Sequence, residues 1–399
     1  MTYAGNLTGS ADLIITATRQ TTSITTTPNA TSVATAVASI TNPGVDMVTA
    51  LTQLDTLTSS AAVDAAYDEM LPDLSAGPTQ MSFAAADLSA MAIQAHLANL
   101  ASVAGADQTG ISTGDTSGGE AIWVKGFATS TVQDRYEGVN GYEAVVGGGA
   151  GGYDVLQNND WTIGVGGGYA YSNIEAKNED NGTNVKSYQA VIYAGYADGG
   201  PWFFDSVFSL AWNQYDATRG ITFGTLSRVA VADYDGQQYT GTASTGYTFK
   251  ALNDFPFDVT PLASFQYSHL NIDGYTETEA GDLNLRVDSQ AYNLAKLGLG
   301  TKISKAFIQD ESWGTLVPEI HVKWLYDFIG DRVATTNTFT GGGGSFSTLG
   351  FEPVRASLNA GFGLTWYTEH SMTVDFLYDF ELKEAYYSHN ASLTLRLLF

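Results

Sequence analysis

The sequence predicts an all-β membrane protein, a barrel of 12 antiparallel strands that follows a largely helical N-terminal part. From residue 120 to the C-terminus, apolar and polar residues alternate with a period of two, which is typical of strands with one apolar and one polar face. No run of about 18 apolar residues occurs, which excludes a transmembrane helix. The mean hydropathy of −0.06 is compatible with a transmembrane barrel, because alternating strands keep the average near zero. The 22 tyrosines and 43 glycines also favour strands over helices.

The last segment of the chain, residues 386–399, shows the alternation clearly and ends on the aromatic Phe399. Leu393, Leu395 and Leu397 share one face, and the residues between them are polar. An alternating strand that closes on an aromatic residue resembles the terminal strand of bacterial outer-membrane barrels, where it serves as an assembly signal. A terminal strand of a soluble sandwich would also fit this segment alone, so the other strands must decide.

Twelve segments alternate in this way, and we predict them as the barrel strands: residues 120–129, 142–155, 161–172, 186–197, 202–215, 237–250, 257–269, 290–304, 314–328, 353–367, 371–382 and 386–399. Their apolar faces end in aromatic residues, and their polar faces carry charges and small residues, including the glycine clusters 147–149 and 166–168. A soluble barrel would instead bury bulky residues inside. The pattern therefore indicates an outward apolar band with aromatic girdles and a wet lumen.

The predicted connections between strands alternate in length. Gaps are short at 157–160, 198–201, 251–255 and 368–370, and long at 216–236, 271–289 and 329–352, apart from a brief last one near Lys383. Short turns on one side and long loops on the other are typical of outer-membrane barrels. An even strand count also places residue 120 and Phe399 on the same, short-turn side.

The first 119 residues contain a single basic residue, Arg19, against ten acidic ones. Residues 6–18 resemble one or two short strands, and apolar spacings of three and four predict helices at residues 30–40, 45–57, 60–70 and 82–103. The last helix would span about 33 Å, close to the thickness of a bilayer core. Its periodicity fits an amphipathic helix packed on a neighbouring helix, and it also fits a helix inside a pore. A glycine-containing linker at 105–119 follows.

Composition excludes several functions. The chain has no cysteine, which excludes disulfide frameworks, thiol nucleophiles and thiolate metal sites. The net charge of −25 argues against nucleic acid as a partner. The N-terminus has neither a basic nor an apolar signal region, so we expect an exported protein of this kind to be a piece of a longer precursor.

The chain resembles the C-terminal part of an autotransporter of the type V secretion family. Residues 6–40 resemble the junction at the end of the passenger, the exported N-terminal part of the family's proteins. The segment EAIWVKGF at residues 120–127 is similar to the family's first-strand motif, with Trp123, Lys125 and Gly126. The terminal signature is matched by Phe399, Leu397, Leu395 and Leu393.

The resemblance implies a 12-stranded outer-membrane β-barrel that exports its own passenger to the cell surface and keeps an α-helical linker in the pore. It divides the chain into a small passenger remnant at 1–80, a linker with the pore helix at 81–119 and the barrel at 120–399. The pore helix would include Leu88, Met91, Leu97 and Asn99. Implied partners are outer-membrane lipid and lipopolysaccharide, the passenger, the barrel-assembly machinery and periplasmic chaperones; no cofactor is implied.

Charged residues of the polar faces are candidates for a network in the lumen: Glu319, His321, Lys323, Arg355, Asp375, Asp379 and Arg396. We interpret them as a solvated, mutually paired barrel wall that touches the linker. Some relatives cut their linker inside the barrel with lumen acids and an asparagine, a role for which Asn99 is the candidate. The paired asparagines of those relatives are absent here, which argues against self-cleavage.

Other functions fit the sequence less well. Gly147, Gly149 and Gly152 match a G-x-G-x-x-G pattern, but no helix follows, so a dinucleotide site is not expected. No two of the five histidines have the spacing of metal ligands. A free-standing porin or adhesin barrel is the alternative to a translocator, although it would not need residues 28–103. An enzyme is not expected, because no Ser/His or Asp/His set lies near the long-loop rim.

Overall fold

The computed structural model describes residues 2–7, 13–18, 25–104, 121–157, 160–251, 255–308, 314–368 and 372–398. For residues 2–7, 13–18, 99–104, 121, 157, 308, 397 and 398 it describes the backbone only. Phe399 and the side chains of Asn99 and Leu397 therefore lie outside the described residues.

The N-terminal part begins with a hairpin of β1 (Thr2–Leu7) and β2 (Leu13–Thr18). Three short helices follow: α1 (Pro28–Ala38), α2 (Val45–Thr56) and α3 (Ser60–Asp68). The side chains of Thr27 and Ser59 cap the N-termini of α1 and α3 by accepting backbone N–H bonds. The long helix α4 (Gly77–Ala104) then leads towards the barrel strands. No helix within the described ranges is both long and apolar enough to cross a membrane.

Twelve antiparallel strands form the closed barrel, as the sequence predicts. They are β3 (Ala121–Gln133), β4 (Tyr142–Gln157), β5 (Trp161–Ala176), β6 (Gly182–Tyr196), β7 (Trp202–Phe223), β8 (Leu226–Tyr247), β9 (Asp258–Ile272), β12 (Gln290–Ser304), β14 (Thr315–Asp327), β17 (Ala356–Tyr367), β18 (Met372–Lys383) and β19 (Tyr386–Leu398). Sequence neighbours pair around the sheet, and β19 pairs with β3 to close it. The short strand β13 (Phe307–Ile308) extends the sheet beside β14.

We term the end of the barrel at which β3 begins and β19 ends the inner end, and the opposite end the outer end. The strand faces follow the predicted alternation, and apolar side chains point away from the lumen. On β14, Ile320 is 60% exposed and Trp324 44%, whereas His321 between them is 8% exposed. The glycine clusters, however, are split between the two faces. Gly148 points inward, whereas Gly147 and Gly149 are on the outside, because alternation continues through the cluster.

The outer connections differ from the long gaps predicted. Residues 216–236 are not a loop, because β7 and β8 continue past the barrel as one hairpin that turns at Gly224. Gly224 has a positive φ of 60°, a conformation that glycine adopts without strain. The other two long gaps contain β10 (Tyr275–Thr276), β11 (Leu285–Val287), β15 (Ala334–Phe339) and β16 (Phe346–Leu349), which form a separate four-stranded sheet above the outer end.

Helix α4 lies inside the barrel. Its first residue, Gly77, contacts Tyr142 and Ile174 at the outer end, and Leu97, near its last turn, contacts Gly195 at the inner end. Its neighbours are mainly β4, β5, β6 and β7, so the helix lies against one wall rather than on the barrel axis. The chain therefore passes through the lumen from the outer to the inner end before it enters β3.

Candidate functional site

The wall beneath α4 is built from small inward-facing residues. On β5 these are Gly164, Gly166, Gly168, Ala170 and Ser172. A Cβ atom placed on Gly168 would lie 3.3 Å from Ser89 Oγ, and one on Gly195 of β6 would lie 2.8 Å from Leu97 Cδ2. The helix approaches the sheet so closely because these positions lack side chains. Because successive residues alternate in direction, the outward residues of the same strands can remain bulky.

At the inner end, four side chains join α4 to the wall. His96 Nε2 donates to Asp154 Oδ1 at 2.9 Å, Tyr193 Oη donates to the same oxygen at 2.7 Å, and Trp123 Nε1 donates to Tyr193 Oη at 2.8 Å. The His96 ring stacks on the Trp123 ring with centroids 5.3 Å apart. All four side chains are at most 3% exposed. We call His96, Trp123, Asp154 and Tyr193 the inner latch. His96 belongs to the helix and the other three residues belong to the barrel wall, so the group connects the two.

Further polar contacts, at Asp87 and at Ser82, hold α4 higher in the lumen. Asp87 accepts a hydrogen bond from Gln266 and lies 3.5 Å from Lys296 Nζ, so the acidic residue of the helix meets a base on β12. Nearer the outer end, Ser82 Oγ and Tyr215 Oη are 2.8 Å apart. Polar contacts therefore fix the helix at three heights, in addition to its packing against the small residues.

The opposite wall carries a paired charge network. His321 Nε2 of β14 lies 2.8 Å from Asp379 Oδ1 of β18, across Gly361 of the intervening strand. A Cβ at Gly361 would lie only 2.6 Å from His321 Nε2, so glycine leaves the space that this contact needs. Glu319 lies 3.7 Å from His321 Nδ1 and 3.3 Å from Lys302 Nζ. Three of the predicted lumen charges thus meet in one cluster.

Two basic residues are buried in the lumen wall: Lys125 of the first-strand motif and Arg396 of the predicted lumen charges. Lys125 of β3 is 1% exposed, and its Nζ has no hydrogen-bond partner among the described residues. The acids Asp375 and Asp379 interact with it electrostatically. Arg396 is likewise buried, with Nε and Nη2 unpaired within the described part of the chain. Since buried polar atoms normally have partners, this inner part of the lumen is suited to hold water or a further polar group.

A cavity of about 190 Å³ lies between α4 and the opposite wall of the barrel. Lys323 lines it, together with Leu88, Met91 and Asp87 of the helix. Arg355, directly before β17, lies at the outer mouth of the cavity and is exposed. Its guanidinium donates to the Phe328 carbonyl at 3.1 Å. The helix therefore occupies the lumen without filling it.

The structure also places the residues of the two strand motifs. Trp123 and Lys125 point into the lumen, whereas Gly126 is on the outside, where a Cβ would meet nothing within 4 Å. On β19, Leu393 and Leu395 are both 48% exposed on the outer face. For Leu397, at the end of the same strand, only the backbone pairing with Ile122 and Met372 is described. Of the predicted pore-helix residues, Leu97 is buried against β6.

Sequence reasoning missed the residues that join α4 to the barrel wall: His96 and Asp87 on the helix, and Asp154, Tyr193 and Lys296 on the strands. Asp154 carried a signal, because an acid on the inner face of a glycine-rich strand needs a partner. His96 is likewise the only ionisable residue of the helix sequence after Asp87. Nothing in the sequence shows that the two residues meet, since 58 positions separate them.

Together, these features define a class of protein: a closed 12-stranded barrel with an outward apolar face, whose lumen is occupied by the helix that leads into its first strand. This is the arrangement of a translocator barrel. The family model of the autotransporter beta-domain matches residues 122–379, well over half of the chain, and the chain belongs to that family. Its barrel is an outer-membrane translocator domain of a Gram-negative bacterium.

Individual relatives agree with this assignment. Outer membrane protein A of Rickettsia rickettsii is 26% identical over 289 residues, which are 69% of this chain and 12% of that protein. Esterase EstA of Pseudomonas aeruginosa is 26% identical over 54% of this chain and 32% of its own length. The chain thus spans less than a third of these relatives.

In structure, the chain is similar to the translocator domain of the autotransporter NalP from Neisseria meningitidis. The TM-score is 0.57 at 16% identity, over 77% of this chain and 97% of that domain. At this identity the likeness shows the fold alone.

Proposed function

We propose that the barrel exports the chain that precedes α4 across the outer membrane and retains α4 in its lumen afterwards. One observation carries the proposal: α4 enters the lumen at the outer end and leaves it at the inner end, where β3 begins. Residues 25–76 are therefore on the outer side of the barrel, and they can have reached that side through the lumen. In this proposal the inner end faces the periplasm and the outer end faces the cell surface.

The terminal strand fits a role in assembly. Its pairing with β3 and β18 closes the barrel, and Leu393 and Leu395 present a regular apolar face to the lipid. We propose that this strand, with Leu397 and Phe399, is recognised by the barrel-assembly machinery after periplasmic chaperones deliver the chain. The exposed apolar band would contact outer-membrane lipid, and the outer rim would contact lipopolysaccharide.

A translocator domain fits a non-enzymatic role, and we propose no catalytic residue in this chain. The name of EstA describes an esterase, but this chain spans only 32% of that protein. The His321, Asp379 and Glu319 cluster is paired within the wall, which supports a structural role. We propose that the passenger remnant ends at residue 80 and the linker at residue 119.

An epitope tag placed before Thr2 tests the proposed export. We expect antibodies to label the tag on intact cells, because α4 leads the chain to the outer side. A matched variant that lacks residues 386–399 should label only after the outer membrane is permeabilised, since its barrel cannot close.

The opposite result for the full chain would contradict export. If the barrel is folded in the outer membrane but the tag is labelled only in permeabilised cells, the N-terminal part is periplasmic, as in a free-standing porin.

A further inference from the structure

We propose that the outer loops of the barrel form a docking platform for residues 25–76, and that this segment remains there as a resident cap of the translocator. We define the platform as the tip of the β7–β8 hairpin, the residues from β10 to β11, and β15 with β16. The inference rests on the proposed export, and it moves the end of the released passenger from residue 80 to a position before residue 25.

The cap and the platform share one apolar core. Val33 of α1 and Met47 of α2 are completely buried: α1 packs on β16 as well as on α3, and α2 packs on the turn at 281–283 and on β8. On the platform side, Leu283 and Ile221 are completely buried and Phe346 is 4% exposed, and all five residues belong to one cluster. Separation would expose both halves of this core to water, which the hydrophobic effect opposes.

Helix α1 covers the free edge of the outer sheet. The Asn29 side chain makes a reciprocal pair with the backbone of Leu349: its Nδ2 donates to the carbonyl at 2.9 Å, and its Oδ1 accepts from the N–H at 3.0 Å. One turn later, Ser32 donates to the Ser347 carbonyl at 2.8 Å. These side chains occupy backbone groups of β16 that would otherwise remain unpaired at an exposed edge.

Charge complementarity seats α2. The Asp282 carboxylate accepts the backbone N–H of Asp46 at 3.2 Å, at the positive N-terminus of the helix. The side chain of Asp46 in turn accepts from Arg228 Nη2 of β8 at 2.8 Å. Farther along α2, Gln53 Oε1 accepts from the backbone of Thr225 at the hairpin tip. Asp46 at the start of α2 is thus paired with Arg228, one of the few basic residues of the chain.

A buried ion pair connects the platform to the end of α3. Arg219 of β7 and Glu277 are each 5% exposed in their side chains and are joined by two hydrogen bonds of 2.9 and 2.6 Å. Arg219 also donates to the Glu69 carbonyl at 3.4 Å, and the Glu69 side chain accepts from the backbone of Thr222. The barrel hairpin, the outer loop and the cap therefore meet at one bidentate pair.

The cap is held from its first described residues onward. The backbone N–H of Thr26 donates to both oxygens of the buried Asp64 on α3, at 3.0 and 3.1 Å, and its hydroxyl bonds to the same carboxylate. Residue 26 is thus fixed to the cap. A cut that releases the passenger without unfolding this structure must fall before it.

Digestion of intact cells by a broad-specificity protease, followed by mass spectrometry of the membrane-bound fragment, tests the inference. We expect the protected fragment to begin near residue 25. In the double variant Asn29→Ala/Arg228→Glu, which removes the edge pair and repels Asp46, we expect it to begin near residue 77. The control Arg286→Glu makes the same charge change on an exposed residue of β11 that has no bond to residues 25–76 within the described ranges.

Two results would overturn the cap. The first is a fragment of the unaltered chain that begins near residue 77, which would leave the proposed export intact. The second is equal protection of residues 25–76 in the unaltered chain and in the double variant, since protection would then not depend on the platform. If the protease cleaves the N-terminal part only after the outer membrane is permeabilised, the result would contradict the proposed export. It would also contradict the cap, which rests on that export.

Discussion

Deletion of residues 82–103 is expected to raise the single-channel conductance of the purified protein in planar bilayers by about tenfold or more. The reason is steric: an α-helix is about 10 Å across, and α4 stands in the lumen beside a cavity of about 190 Å³. The deleted segment contains the helix residues that contact Gly168, Asp154 and Gly195. An extended chain in its place would leave most of the cross-section to water and ions.

A deletion of equal length elsewhere is the matched control. Removal of residues 45–66 takes the same number of residues from the cap and leaves α4 in place, so conductance should stay close to that of the intact chain. High conductance of the intact chain, unchanged by deletion of 82–103, would contradict the account and would favour a free-standing porin.

Replacement of either polar partner of the inner latch is expected to destabilise the protein strongly. His96→Leu and Asp154→Leu should each lower the free energy of unfolding by about 3 kcal/mol, because each leaves a buried polar partner uncompensated. The double variant should lose clearly less than the sum of the two, since it removes both partners together. Urea unfolding of the protein in lipid vesicles measures these differences.

His269→Leu is a suitable control for the latch. His269 lies on the outer face of β9 and bonds to Asn293 at 2.9 Å, so its replacement should change the free energy of unfolding by only about 0.5 kcal/mol. Additive losses in the His96 and Asp154 variants would contradict the latch, because independent residues show no coupling energy.

The barrel could be predicted from the sequence because its strands obey a local rule. Lipid outside and a polar lumen inside impose alternation residue by residue, and the predicted strand at 290–304 coincides with β12 (Gln290–Ser304). The helix start was predicted too late, at 82 instead of Gly77. Pro78 lies in the first turn of the helix, where proline is tolerated because its missing N–H would have no helical partner.

The candidate site was less accessible to sequence reasoning because it depends on contacts between distant parts of the chain. Trp123 was found through its motif, but nothing local shows that this aromatic residue points inward to stack on His96. The outer sheet was missed for a similar reason. Its strands are as short as Tyr275–Thr276 and pair across loops, so none carries an alternation long enough to detect.

A single engineered disulfide tests most directly whether α4 lies in the lumen. The chain has no cysteine, so Ser89→Cys/Gly168→Cys introduces one unique pair. The 3.3 Å between Ser89 Oγ and the Cβ position of residue 168 suits a disulfide. On whole cells treated with a mild oxidant, we predict that this pair cross-links in nearly all folded barrels. The pair Ser89→Cys/Gly167→Cys, whose second cysteine faces outward, should not cross-link. Absence of the first cross-link in a folded barrel, or equal cross-linking of both pairs, would contradict the account.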